Sequence, residues 1–243
     1  MMKLPFLART TQTPERRPLA VAGVDAPVEV RISPRARRLS LRVDPADGTV
    51  RVVVPKGVPP AVIADFVARH GDWLRARLEA VPPPLPFVDG AAVPYLGIDH
   101  VIRHQPLGPR TVRREDGTFV IGGGAEHMAR RLTDWLKEEA RRELGLRSRA
   151  HAARLPARVA SVTVRDTRSR WGSCSASGRL NFSWRLVLAP ETVLDYVVAH
   201  EVAHLKEMNH GPRFWALVDR LHPDVAGCRA WLKRHGGRLH RYG

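Results

Sequence analysis

The chain reads as an α+β protein, and three features of its sequence predict that class. The N-terminal half alternates apolar and polar residues in short runs broken by turn residues, the pattern of strands. The C-terminal half carries a long stretch of helical periodicity over residues 126–154. Further on, His200-Glu201-x-x-His204 lies between helix-starting and helix-stopping signals.

Taken in order, residues 1–27 form a basic, proline-punctuated stretch expected to be a flexible lead-in. Strands are expected at 28–32, 39–43 and 50–54, the last two joined by the turn residues of Asp44-Pro-Ala-Asp-Gly48. Residues 59–80 place Val62, Ile63, Phe66, Val67, Trp73, Leu74 and Leu78 at helical spacing, so one helix is expected there. Four prolines within 81–86 make an extended connector. A second β block follows at 92–96, 99–103, 111–114 and 118–121. Gly122-Gly-Gly124 is a flexible join; it lacks the Lys-Ser/Thr ending of a phosphate-binding loop.

The long helix over 126–154 carries Met128, Leu132, Trp135, Leu136, Ala140 and Leu144 as its apolar side. A strand is expected at 159–164, then a hairpin of 170–174 and 179–184 around Ala176-Ser-Gly178. Pro190 and Glu191 suit the first turn of the next helix, which docks through Val197, Val198, Val202 and Leu205. It should stop near Asn209, because Gly211 permits a turn and Pro212 prevents continuation. Short helices are expected from Arg213 and over 225–234. The division expected is a lead-in over 1–27, a β-rich accessory module with one helix over 28–122, and a catalytic core over 125–243.

Residues four apart on a helix stand one above the other, so His200 and His204 can hold one Zn²⁺ at about 2.0–2.1 Å per bond. Glu201 is displaced around the helix and reaches water on such an ion rather than the ion itself, which suits a general base. His210 falls where the chain leaves the helix and can fold back as a third ligand. Glu207 is a rival for that place. Three protein ligands leave the fourth position to water, the mark of a catalytic zinc; the alternative is a histidine-rich surface helix without metal. Asp195 and Asn209 are candidates for orienting a ligand imidazole, or are solvated and capping residues.

The segment Arg168-Ser-Arg-Trp-Gly-Ser-Cys-Ser175 admits two readings. In one, Arg168, Arg170, Trp171 and Ser173 bind substrate: a strand beside a metal cleft pairs with an extended chain, and the arginines neutralise an anionic oxygen. In the other, Trp171 plugs the core and the arginines are solvated. Cys174 is expected to pack rather than to attack, since no independent base is implied beside it. Phe214 and Trp215 are expected to pack the helix after the site, and His222, His235 and His240 to lie on the surface.

The net charge of +16 comes largely from arginine and attracts anions, unless it reflects base composition alone. Two cysteines are too few for a disulfide framework. No run is long enough for a membrane span, so a reduced cytoplasm is the expected location. Three function classes follow. The first is a zinc metallopeptidase acting on peptides or unfolded segments through a metal-activated water and Glu201. The second is a metal-dependent hydrolase of nucleotide phosphoanhydrides, guided by Arg165, Arg168 and Arg170. The third is a non-catalytic, basic, nucleic-acid-associated metal protein.

Several segments together resemble one family. They are Arg35-Ala-Arg-Arg-Leu-Ser-Leu-Arg-Val43, Val54-Pro-Lys-Gly57, Arg170-Trp-Gly-Ser-Cys-Ser175, Leu180-Asn-Phe-Ser-Trp184, residues 195–205 and Asn209-His-Gly-Pro-Arg-Phe-Trp215. They resemble the YgjP-like family of metal-dependent hydrolases, labelled zinc metallopeptidases and akin to the SprT-like proteins. The resemblance runs over nearly the whole chain from Val28. It implies a zincin-like core with His200, His204 and His210 as ligands of one zinc ion and Glu201 as the catalytic group. The histidine spacing matches the metzincin pattern too, but Glu207 stands where that pattern has glycine. No Cys-rich zinc ribbon or other recognisable DNA-binding module accompanies the motif.

Overall fold

A computed structural model describes residues 16–19, 26–44, 47–168 and 170–243, and its chain is of mixed α+β architecture. The described residues divide into two compact units, Met1–Val81 and Pro82–Gly243. The larger unit therefore takes in the sheet of residues 92–122, which the sequence pattern groups with the N-terminal module. Of the expected lead-in, 1–15 and 20–25 lie outside the described residues, and Arg16–Leu19 is strand β1.

The smaller unit holds β1, β2 (Val28–Ile32), β3 (Ser40–Val43) and β4 (Val50–Val54), in the spatial order β1-β2-β4-β3. β2 and β4 run parallel, while both outer pairs are antiparallel. Valines dominate because β-branched side chains suit a pleated surface buried on one face. Val28, Val30, Val50, Val52 and Val54 are buried against Ile63, Val67 and Leu74. Those last residues belong to two helices, α1 (Pro60–Arg69) and α2 (Gly71–Glu79), where the spacing suggests one. The break falls at His70, whose ring bonds the Phe66 carbonyl at 2.8 Å, and the helix restarts at Gly71.

The larger unit opens with β5 (Ala92–Tyr95), β6 (Ile98–Gln105), β7 (Val112–Glu115) and β8 (Thr118–Gly122). Their order, β5-β6-β8-β7, repeats the connectivity of the first sheet, with β6 and β8 as the parallel pair. A 3-10 turn at Ala125–His127 leads into α3 (Met128–Arg154), whose apolar side is the predicted one apart from half-buried Trp135. A third sheet combines β9 (Ser161–Arg165), β10 (Gly172–Cys174) and β11 (Arg179–Ser183) in the order β10-β11-β9, so β10 is an edge. A 3-10 turn at Trp184–Leu188 then delivers the chain to α4 (Glu191–Ala203), followed by α5 (Pro212–Leu221) and α6 (Val225–Leu239).

The start of α4 is fixed by close packing. The Leu96 amide donates to the Val187 carbonyl, and Gly97, at φ +82°, lies so near Pro190 that a Cβ would stand 2.8 Å from the Pro190 Cα. Only glycine combines that backbone conformation with that approach. Arg185 ties in the C-terminus, donating to the carbonyls of Leu239 and Tyr242 and to Asp166. Gly97→Ala is expected to destabilise the protein by about 2–3 kcal/mol, since strain and overlap act together. Gly90→Ala, also left-handed but facing open space, should cost only about 1 kcal/mol. Equal losses on urea denaturation would show that the contact with Pro190 contributes nothing.

Candidate metal centre

The site is built on α4, which packs against α3, α5, α6 and β10. Nine of its residues are buried, including Val197, Val198, Val202 and Glu201. A helix enclosed on most sides holds its side chains in single rotamers, which precise ligand placement requires. The helix ends at Ala203, six residues before the expected stop near Asn209. The Leu205 and Lys206 amides bond three residues back, to Val202 and Ala203, which tightens the turn and closes the helix early. His204 is consequently the residue that caps the helix rather than an interior one.

That early stop brings His210 back onto the helix. One nitrogen from each of His200, His204 and His210 lies within 4.8 Å of the others, and the Nε2 atoms of His200 and His210 are 3.1 Å apart. Burial, followed by the neighbouring His204, His210 and Arg229, pushes His200 down to about 4. Burial likewise lowers His204. Both rings are thus neutral at pH 7, the form that binds metals. His204 Nδ1 donates to the Glu207 carbonyl at 3.0 Å, which frees its Nε2 lone pair. Glu207 therefore contributes its backbone to the site. Facing lone pairs on neutral imidazoles, one ring among them deeply set, fit a divalent cation of borderline softness such as zinc. Phe214 lies against all three rings, and Trp215 is near His200 and His210.

Glu201 is only 6% exposed, and its side chain forms no hydrogen bond or ion pair among the described residues. Burial pushes its carboxyl up to about 7, against the opposing charge of Arg170. The carboxylate has room because β10 passes it at Gly172. A Cβ there would come within 2.6–2.8 Å of the Glu201 Cγ, Cδ and Oε1. The hydrogen bonds of β10 also have a direction. Trp171 and Ser175 bond β11 through the Ser183 amide and the Arg179 carbonyl, so by alternation Gly172 and Cys174 turn their backbone groups to the open edge.

The other residues singled out in the sequence divide. Arg170 comes within Coulombic reach of Glu201, whereas Arg168 acts on Asp166. Trp171 stacks on His240 at 4.7 Å and touches the α6 backbone at Gly236, which makes it a packing residue. Ser173 lies on β10 opposite Asn181. Asn209 is exposed, with no side-chain hydrogen bond among the described residues. Asp195 accepts from His151 at 2.9 Å and lies 3.7 Å from Arg147, so its partners are on α3 rather than among the three imidazoles. His222 is buried beside Tyr196, and His240 is half-buried, against the expectation of surface histidines. Cys174 and Cys228 are free, and burial pushes each thiol up to about 11, consistent with packing roles. A cavity of about 600 Å³ adjoins His204, lined also by Arg158, Ser175, Gly178, Leu205 and Met208. Sequence spacing singled out neither Gly172 nor this cavity, since both arise from the third sheet meeting α4.

A family model described as the YgjP-like metallopeptidase domain matches residues 37–235. The chain belongs to the YgjP-like metallopeptidase family. A solved structure, the crystal structure of the metallopeptidase zymogen of Pyrococcus abyssi abylysin, is similar over 41% of this chain and 97% of its own. That likeness has 20% identity and a TM-score of 0.35. None of the curated proteins compared with the chain matches it. Among the described residues of this YgjP-like protein, no helix is long and apolar enough to cross a membrane.

Behind the site, Asp195 makes stability depend on acid. Burial alone would raise its carboxyl, but the His151 hydrogen bond and the charges of His151, His222 and Arg147 hold it below the usual carboxylate range. A carboxyl depressed in the folded state takes its proton first in the unfolded chain. Its contribution is present above the unfolded value of about 3.9 and is lost as pH falls through the folded one. Asp195→Asn should therefore lose less stability than the wild type between pH 7 and pH 3, read as urea midpoints. Parallel losses in both proteins would remove Asp195 from the acid response.

Proposed function

We infer that this protein is a zinc-dependent endopeptidase of extended or unfolded segments, with Glu201 as general base. The observation that carries the reading is the placement of Glu201. It stands one residue from His200 on a buried helix, with its carboxylate packed over Gly172 of β10, an edge strand. The family match supports the peptide bond over the phosphoanhydride as the bond cleaved.

His200, His204 and His210 would hold one ion. When bound, it supplies Lewis acidity that polarises the scissile carbonyl and makes water a stronger acid. The chain's own groups do the rest. The free amides and carbonyls of Gly172 and Cys174 take up an extended substrate as an added antiparallel strand. That pairing lays the peptide alongside α4, and the cavity beside His204 receives one of its side chains. Glu201 accepts a proton as water oxygen attacks the carbonyl carbon. It returns that proton to the amine nitrogen as the C–N bond breaks. Arg170 provides positive charge near this carboxylate, where it would offset negative charge developing on the substrate oxygen.

Zinc-loaded protein is expected to cleave an unstructured polypeptide, with Glu201→Gln slowing it by about 10²–10⁴-fold while leaving metal stoichiometry unchanged. Undiminished proteolysis by Glu201→Gln would remove Glu201 from the chemistry, and phosphate release from nucleotides without proteolysis would replace the bond. Gly172→Ala should lower kcat by at least about tenfold, because the added methyl displaces the carboxylate. Unchanged kcat in that variant would mean that β10 does not position Glu201.

A further inference from the structure

Arg229 stands in the second turn of α6, one residue after Cys228, whose buried thiol donates to the Thr192 carbonyl of α4. That contact seats this turn of α6 on the helix that carries the site. The Arg229 guanidinium lies 4.8 Å over the Trp215 ring. The same indole is 5.8 Å from the His200 ring and 5.9 Å from the His210 ring. One aromatic ring therefore separates this cation from two of the three imidazoles. Its charge reaches His200 and also Tyr196, one helical turn earlier on α4.

Some arginines elsewhere in this unit pair with carboxylates. Arg142 and Arg147 pair with Glu139, Glu143 and Glu191, and Arg185 pairs with Asp166. Arg229 has no carboxylate partner among the described residues and is exposed. Stacking on an indole fixes the plane of a guanidinium without using its N–H donors. The fork that remains matches a carboxylate bidentately. An extended peptide advances about 3.3–3.6 Å per residue, so a residue close to the cleaved bond spans the distance from the imidazoles to Arg229.

We propose that Arg229, seated on Trp215, binds a substrate carboxylate beside the catalytic centre, so that peptides bearing a carboxylate near the cleaved bond are the preferred class. The carboxylate belongs either to an acidic side chain or to the peptide C-terminus. This assignment rests on the peptidase reading for its catalytic consequence, and on Arg229 alone for binding.

The test compares peptides of one sequence with zinc-loaded protein. One carries Glu in turn at each of three positions on either side of the cleaved bond, with an amidated end. A second has Gln in its place and an amidated end, and a third has Gln with a free C-terminus set close to that bond. The kcat/KM of one carboxylate peptide is expected to exceed that of the Gln amide by about tenfold. Whichever of the two peptides shows the preference identifies the source of the carboxylate. In Arg229→Gln the ratio should fall to near one, and Arg229→Lys, which keeps the charge but not the fork, should retain part of it. The same peptides are titrated calorimetrically into zinc-loaded Glu201→Gln protein, with and without Arg229→Gln. A wild type that cleaves nothing would defeat the peptidase reading, while the binding ratio would still decide the role of Arg229. A ratio of one in the presence of Arg229, or a ratio unaltered by its replacement, overturns the proposal.

Discussion

Three imidazoles can meet at one point only if the chain turns sharply just after the second of them, and that turn governs the whole site. Had α4 run on to Asn209, His210 would have been carried about one and a half turns further along the axis. Instead the helix closes at Ala203, and the His210 and His200 nitrogens face each other at 3.1 Å. The same closure directs the Glu207 carbonyl at His204 Nδ1, so a single change of backbone direction sets both the third ring and the tautomer of the second. The His200 ring, lowered to about 4 chiefly by burial, sheds its proton and favours a divalent ion.

The surrounding architecture holds that turn in place. α4 is enclosed by three helices and a strand, and its N-terminus is pinned where Gly97 presses on Pro190. From the other side, β10 comes within a methyl's width of Glu201, which only a glycine at 172 allows. In the proposed mechanism, this buried carboxylate over an edge strand would combine a proton acceptor with a surface for an extended chain. The Arg147–Glu191 ion pair and the His151–Asp195 hydrogen bond tie α3 to the back of the same helix. Fold stability and site geometry therefore depend on shared contacts.

Much of this was legible in the sequence, for local reasons. Strands of alternating valines at 28–32 and 50–54 and the apolar stripe of α3 are properties of single segments, and the structure has them at those places. The H-E-x-x-H spacing marks a helix face by itself, and its two histidines cluster with His210, picked out by its place just beyond the helix. What escaped depends on partners distant in sequence or on competition within a turn. The early end of α4 reflects three-residue hydrogen bonds that no residue type announces, and the break at His70 reflects a ring competing for the Phe66 carbonyl. Asp195 looked like a partner for a ligand ring, but α3 supplies His151 and Arg147 at closer quarters. The common connectivity of the first two sheets is likewise a matter of pairing order, which hydrophobic patterning leaves open.

The central claim is that one cation is held by three imidazoles, the third arriving from beyond the helix. X-ray absorption at the zinc edge, on protein loaded with one equivalent of zinc, tests this directly. The account predicts three imidazole nitrogens at about 2.0–2.1 Å in the wild type, and two in His210→Ala with weakened affinity. An unchanged spectrum in His210→Ala, or a sulfur ligand in the wild type, would contradict it.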